Sequence, residues 1–298
     1  MRFAYYPGCT LKTNAKNFEE SAIEAMKALG LELVELPRWN CCGTVHALVK
    51  DDVMHYIAPA RILAKVEDMN GRGILKENFR LVTLCAMCYN TLKRANSGAK
   101  GDPERMRKLH DIMVEKEQPY KGKTEVVHLL ELLREMSFKR LAEQVKKPLK
   151  ELKIAPYYGC LLLRPKEFSI DNPDNPRVME DLLEALGADV VEIPYRTRCC
   201  GAYHTVERKD IVAEAAYKIL EQTRKLGAEM ITLACPLCSF NLSERQEEVK
   251  KYYPDFREIP VLYFTQLVAL ALGLGEEVCG LDENHIDPRP LLRTKNLA

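Results

Sequence analysis

The sequence predicts an internally duplicated α/β protein: two similar small α/β domains in a pseudo-two-fold relation, each with a parallel sheet flanked by helices. Three observations carry this prediction. The chain has 298 residues, about twice the common domain length, and 47% of it is apolar, enough for two packed cores. Short aliphatic or aromatic strands alternate with helical stretches, which is the pattern of parallel βα units. The same order of strand, helix and cysteine motif also occurs twice in register.

The first copy opens with Ala4-Tyr5-Tyr6-Pro7-Gly8-Cys9, a strand that runs into glycine and cysteine. A helical stretch follows and ends at Ala28-Leu29-Gly30, where the glycine suits a helix C-cap. Next come the strand Glu32-Leu33-Val34-Glu35-Leu36-Pro37 and then Cys41-Cys42-Gly43. A helix is expected over residues 53–69, and the strand Leu81-Val82-Thr83-Leu84 leads into Cys85-Ala86-Met87-Cys88, which opens another helix. An apolar helical segment, residues 126–133, closes the copy.

The second copy repeats each step. Ala155-Pro156-Tyr157-Tyr158-Gly159-Cys160 is its first strand, Ala185-Leu186-Gly187 its helix end, and Asp189-Val190-Val191-Glu192-Ile193-Pro194 its second strand. Cys199-Cys200-Gly201 follows, then a helix over 210–226, the strand Met230-Ile231-Thr232-Leu233, Cys235-Pro236-Leu237-Cys238, and a closing helical segment at 261–272. The basic stretch Lys146-Lys147-Pro148-Leu149-Lys150 reads as the linker, giving expected domains of 1–148 and 149–298. The tail, residues 282–298, is rich in proline and charge and reads as extended or docked on a partner. Cys42 and Cys85 stand further apart than Cys200 and Cys235, so a short insertion is expected around residues 69–78.

Composition excludes several function classes. Forty-four basic against 43 acidic side chains leave a formal charge of +1, so no electrostatic pull toward nucleic acid is expected. The longest apolar stretch, 259–274, is interrupted by Thr265 and Gln266 and is shorter than the roughly 20 residues of a membrane span. The N-terminal residues do not read as a secretory leader, so a cytoplasmic location is expected. No GxGxxG, Walker A or GxSxG pattern occurs, which argues against a bound nucleotide or a serine nucleophile.

Cysteine is the informative residue. There are 11, an odd number in a chain too long to need disulfide staples. Ten fall into two identical sets: Cys9, Cys41, Cys42, Cys85 and Cys88, then Cys160, Cys199, Cys200, Cys235 and Cys238. Each follows a predicted strand, and in an α/β domain the carboxyl ends of parallel strands form one edge where ligands sit. Five thiols therefore converge on one site per half. Buried structural cysteines would not recur as paired motifs in register. A closed zinc site takes four ligands, so zinc in one half is the less favoured reading. Iron–sulfur clusters, held by thiolates, are favoured. Gly43 and Gly201 permit the tight or positive-φ turn that lets backbone approach such a body. Cys279 has no partner and reads as a bystander thiol.

Two copies of a cysteine, a Cys-Cys-Gly and a CxxC in one chain resemble the cysteine-rich CCG family, and within it most the B subunits of heterodisulfide reductases. The strings Tyr157-Tyr158-Gly159-Cys160-Leu161-Leu162-Leu163-Arg164-Pro165, Asp171-Asn172-Pro173-Asp174-Asn175-Pro176 and Thr83-Leu84-Cys85-Ala86-Met87-Cys88-Tyr89-Asn90-Thr91-Leu92-Lys93-Arg94 carry the resemblance, which spans about residues 2–275. It implies one noncubane 4Fe-4S cluster on each set of five cysteines, and reduction of the mixed disulfide of coenzyme M and coenzyme B to two thiols. It implies partners as well: a ferredoxin-like iron–sulfur C subunit, a flavin-containing A subunit, and hydrogenase or formate dehydrogenase behind them. The anionic ends of that substrate call for cations, and Arg164, Arg198, Lys166, Lys12 and Arg38 lie near the cysteine motifs. His46 and His204, each three residues past the glycine of a Cys-Cys-Gly, are candidate proton donors or second-layer hydrogen-bond partners. Three alternatives stay open: an iron–sulfur electron-transfer subunit of another multi-subunit dehydrogenase, a reductase of a different disulfide, and a zinc-stabilised scaffold.

Overall fold

The computed structural model describes residues 1–43, 53–113 and 119–297. Two four-stranded parallel sheets organise it, with strand orders β2-β1-β3-β4 and β6-β5-β7-β8, so the second half repeats the topology of the first. The strands are β1 (Arg2–Tyr6), β2 (Glu32–Glu35), β3 (Arg80–Thr83) and β4 (Glu125–His128), then β5 (Lys153–Tyr157), β6 (Asp189–Val190), β7 (Met230–Leu233) and β8 (Val261–Tyr263). Helices of the first half are α1 (Gly8–Leu11), α2 (Lys16–Ala28), α3 (Met54–Gly71), α4 (Ala86–Lys100), α5 (Pro103–Ile112), α6 (Leu129–Glu135) and α7 (Phe138–Ala142). Those of the second are α8 (Val178–Ala185), α9 (Lys209–Lys225), α10 (Pro236–Leu242), α11 (Gln246–Tyr252), α12 (Phe264–Ala271), α13 (Glu276–Cys279) and α14 (Arg289–Thr294).

The central strands are buried on both faces because helices cover the sheet on each side, so β1 and β7 carry apolar side chains without polar alternation. Helix α2 shows the complementary pattern, burying Phe18, Ala22, Ala25 and Met26 along one stripe. It stops at Gly30, whose φ of +76° lets Leu31 N–H return to the Met26 carbonyl at 2.9 Å. Gly187 ends α8 in the same way at φ +84°, with Ala188 N–H on the Leu183 carbonyl at 3.1 Å.

Three sequence expectations are corrected. The closing segments 126–133 and 261–272 are not helical throughout: each begins as the fourth strand, β4 or β8, and turns helical only at Leu129 and Phe264. The switch is local, since His128 and Glu131, and likewise Tyr263 and Gln266, form a capping box that fixes where each helix starts. The extra length between Cys42 and Cys85 is spread out: the connection 72–79 exceeds its counterpart 226–229, and the stretch before α3 is longer too, though residues 44–52 lie outside the described residues. The tail is not extended. It packs on its own chain, with Leu292 and Leu297 buried and Glu283 accepting the Asn17 N–H of α2 at 3.1 Å.

The halves share a core. Phe18 of α2 stacks on Tyr263 at 4.2 Å between ring centres and 2° between planes, and Ser21 meets Thr265 of α12 at 2.7 Å. Helix α6 packs on α8 in the reciprocal arrangement.

Candidate metal centre

The cysteines lie where the strand ends point. Pro7-Gly8 turns the chain from β1 into Cys9, and β3 runs through Leu84 to Cys85, which caps α4; β5 and β7 deliver Cys160 and Cys235 likewise. Cys42 Sγ lies 3.5 Å from Cys88 Sγ, and Cys200 Sγ lies 3.4 Å from Cys238 Sγ. Cys41 reaches Cys42, and Cys160 reaches Cys199, through thiol contacts. Cys9, Cys41 and Cys199 are exposed, Cys160 is half-buried, and the remaining six of the ten are buried.

The two sets also meet each other. Cys85 and Cys235, the leading cysteines of the two CxxC motifs, face each other across the junction of the halves, each shifting the other's thiol. Beside them the Ala86 N–H donates to the Ala234 carbonyl at 3.0 Å. The symmetry-related bond is impossible because Pro236 has no N–H, and the Leu84 carbonyl accepts from His128 Nε2 at 2.7 Å instead.

Sulfur proximity polarises the thiols. Hydrogen bonds from Cys160 and Cys200, with backbone N–H groups of Gly201 and Ala202, pull Cys199 down to about 2. Cys235 is driven down chiefly by Cys238 and Cys85. Cys200 is pushed up to about 12, first by the Cys199 thiol, and Cys88 is pushed up by Cys42 and Cys85. A set of this kind releases some protons readily and holds others until a cation replaces them, as a metal-binding thiol set does.

Glycines make room for the sulfurs. Gly43 and Gly201 both adopt the left-handed region, at φ +79° and +82°. The tighter constraint falls on two glycines whose fit to the thiols the sequence does not reveal: a Cβ on Gly8 would stand 3.1 Å from Cys88 Sγ, and one on Gly159 3.2 Å from Cys238 Sγ. Sequence reasoning misses two further features. Tyr6 and Tyr157 sit buried behind the thiols, their hydroxyls donating to the Asn40 carbonyl at 2.9 Å and the Arg198 carbonyl at 2.6 Å; the repeated Tyr-Tyr is the available signal. Asn241 Nδ2 donates to the Cys200 carbonyl at 3.0 Å and approaches its Sγ at 3.6 Å.

The other candidates fare differently. His46 lies outside the described residues. His204 is exposed in a 3-10 turn, and it is its neighbour Tyr203 that lines the thiol pocket with Cys160 and Cys199. Of the five cations, Lys12 is held by Glu19 and Glu35, each at 2.7 Å. Arg164 donates to the Thr197 carbonyl at 3.4 Å, and Arg198 lines a separate pocket with Cys199. Arg38 supplies its carbonyl to Lys65, and Lys166 opens the short 3-10 turn after Pro165. Cys279 is buried, away from both sets, with its thiol pushed up to about 12 by burial.

The donor set is all sulfur, soft and thiolate-forming, with no carboxylate or imidazole interleaved among the described residues. Among those residues no trio of His, Cys, Asp or Glu stands in the spacing of a single-ion site. The thiols run instead as a chain through both halves, and their chemistry fits iron–sulfur clusters.

A duplicated parallel α/β fold that carries five thiols at the strand ends of each of its two sheets defines a cysteine-rich class of redox protein. A family model for the CCG cysteine-rich domain matches residues 3–93 and again 154–243, and the chain belongs to that family. It is 33% identical over 97% of its length, and 98% of the relative's, to the 8-methylmenaquinol:fumarate reductase membrane anchor subunit of Wolinella succinogenes. It is 30% identical to the B subunit of the ferredoxin/F(420)H(2)-dependent CoB-CoM heterodisulfide reductase of Methanosarcina acetivorans, over 96% of this chain and 94% of that one. Identity of 30% also extends over 94% of both chains to an Archaeoglobus profundus protein described as like the B subunit of heterodisulfide reductase. Among solved structures, a hypothetical protein from Helicobacter pylori shares the fold at a TM-score of 0.76 and 15% identity, over 95% of this chain and 51% of that one. No helix among the described residues is long and apolar enough to cross a membrane.

Proposed function

We propose that the chain is the disulfide-reducing subunit of a multi-subunit oxidoreductase, with Cys9, Cys41, Cys42, Cys85 and Cys88 holding one noncubane 4Fe-4S cluster and Cys160, Cys199, Cys200, Cys235 and Cys238 a second. The observation that carries this reading is the bond from the Ala86 N–H to the Ala234 carbonyl at 3.0 Å, which sets Cys85 beside Cys235 and makes the two thiol sets neighbours. Bound clusters supply electrons singly, and cleaving a disulfide to two thiols consumes two. Neighbouring sets let this chain flank one disulfide from both sides, so neither sulfur has to leave half-reduced. Tyr6, Tyr157 and the buried CxxC helix starts keep water from the inner face of the site. The mixed disulfide of coenzyme M and coenzyme B is the proposed substrate, with a ferredoxin-like C subunit and a flavin-containing A subunit as electron source, fed by hydrogenase or formate dehydrogenase.

A second reading draws on the name of the Wolinella relative: an iron–sulfur subunit that exchanges electrons with a quinol-linked complex rather than with a disulfide.

Iron, sulfide and zinc content of anaerobically purified protein tests the common part. About eight irons and eight sulfides per chain are expected for two four-iron clusters; zinc alone would overturn both readings. Cys200→Ala is expected to lose the second cluster and all disulfide turnover. Turnover retained in that variant overturns the reductase reading.

A further inference from the structure

The two sides of the pseudo-dyad differ. On one side Asn90 Nδ2 of α4 donates to the carbonyls of Leu161 and Arg164, at 2.9 and 2.7 Å, and stitches the first CxxC helix to the segment after Cys160. The matching position on the other side, two residues past Cys238, is Phe240, which has no amide to give. There the segment after Cys9 stands off from α10 across a cleft of about 610 Å³. That volume lies within the range of about 300–1,000 Å³ typical of small-molecule sites.

The lining is selective in its chemistry. Leu237, Phe240 and Tyr263 supply apolar and aromatic walls. The Arg245 guanidinium covers Phe240 at 4.9 Å and is engaged by Glu248 at 3.3 Å and the Thr205 carbonyl at 3.1 Å, so its charge is compensated. Glu244 and Glu283 also line the cleft, and neither has an ion-pair partner among the described residues. An anion entering here meets net negative charge, and none of Lys12, Arg38, Arg164, Lys166 or Arg198 is in the lining. Ser243 is 5% exposed, yet its hydroxyl has no hydrogen-bond partner among the described residues; the Asn14 carboxamide, also in the lining, is likewise free. Both groups are open to the cleft, where the acceptors of a ligand can reach them. Val206, 88% exposed, adds an apolar contribution to the same lining.

We propose that this cleft binds an uncharged ligand with an apolar ring and carbonyl oxygens, a quinone headgroup, whose carbonyls accept from the Ser243 hydroxyl and the Asn14 carboxamide; this rests on the quinol-linked reading above. The site is one-sided because Asn90 bridges the other face.

The test is calorimetric titration of the oxidised, cluster-loaded protein with menadione, and separately with the anionic disulfide 2,2′-dithiodiethanesulfonate. Menadione is expected to bind. Ser243→Trp, which fills the cleft, and Asn14→Trp, at an exposed position, are each expected to weaken menadione binding about ten-fold or more with iron content unchanged. Unaltered menadione affinity in an Asn14→Trp protein with full iron overturns the cleft, as does absence of menadione binding or tighter binding of the dianionic disulfide in the same place. Low iron in the unaltered protein fails the two-cluster reading instead, so the two failures are told apart by the metal assay.

Discussion

Gly159→Ala tests whether the glycine before Cys160 is there for the thiols or only for the turn. Its φ of +65° costs any other residue about 1–2 kcal/mol in the left-handed region. The added methyl would also stand 3.2 Å from Cys238 Sγ, which is itself only 3.4 Å from Cys200 Sγ, so the thiol has to yield toward a neighbour already in contact. Gly227 provides the control: its φ is +83°, and nothing lies within 4 Å of a methyl placed there, so Gly227→Ala incurs the backbone strain alone. At roughly 2–4 °C of melting temperature per kcal/mol, both variants are expected to melt several degrees below the parent. Only Gly159→Ala should also lose iron, by about half, if the two thiol sets hold one cluster each as proposed. Thermal melting by circular dichroism with iron assay on the same preparations decides it. Equal melting shifts with full iron in both variants would refute the steric argument.

Other expectations follow from buried polar groups. Glu180 is fully buried, accepts from the Tyr158 hydroxyl and is ion-paired with Arg196 at 3.2 Å, and burial raises its pKa; Arg196 keeps Glu192 and Asn175, so Glu180→Ala should destabilise by about 1–3 kcal/mol, read from urea midpoints, chiefly because the buried Tyr158 hydroxyl loses its acceptor. Asn90→Ala removes the donor from two part-buried carbonyls, and a loss of about 1 kcal/mol is expected; an unchanged melting temperature would count against the stitch between the halves. His128 donates from Nε2 to the Leu84 carbonyl and accepts the Leu130 N–H at Nδ1, an arrangement only the neutral ring makes, and burial lowers its pKa to about 4. The unfolded chain takes up that proton below about pH 6.5 and the folded one does not. Stability should therefore fall between pH 6.5 and 4, by about 3 kcal/mol in total. His128→Gln should flatten that limb of the pH–melting curve; an unchanged slope would show that another group is responsible.

The duplication and the ten thiols are legible in the sequence because both rest on local order: strand, glycine, cysteine, helix. The fourth strand of each half is not. Val126-Val127 and Val261-Leu262 are too short for periodicity to separate strand from helix, and the capping box that divides them uses a histidine and a tyrosine rather than the usual small hydroxyl residues. The bond of the Ala86 N–H to the Ala234 carbonyl sets Cys85 beside Cys235, and no spacing within one copy encodes it. Nearness in sequence to the cysteines is a poor guide to the cations, since Lys12 turns to Glu19 and Glu35, and the cleft draws instead on Asn14, Ser243 and Phe240. Charge density makes the tail look detached; Leu292 and Leu297, spaced to bury together, are the contrary signal.

The reciprocal packing of α2 on α12 and α6 on α8 has a consequence for how such a site can change over time. Two separate copies of a half-length chain could pair through these same helices, but every substitution would then appear on both sides of the axis, and a residue that closed one mouth would close the other. Joined in one chain, the halves escape that constraint. Position 90 can carry the asparagine that seals while position 240 carries the phenylalanine that leaves space, and Pro236 can drop a hydrogen bond that Ala86 keeps. Covalent linkage thus lets a nearly symmetric body have a front and a back.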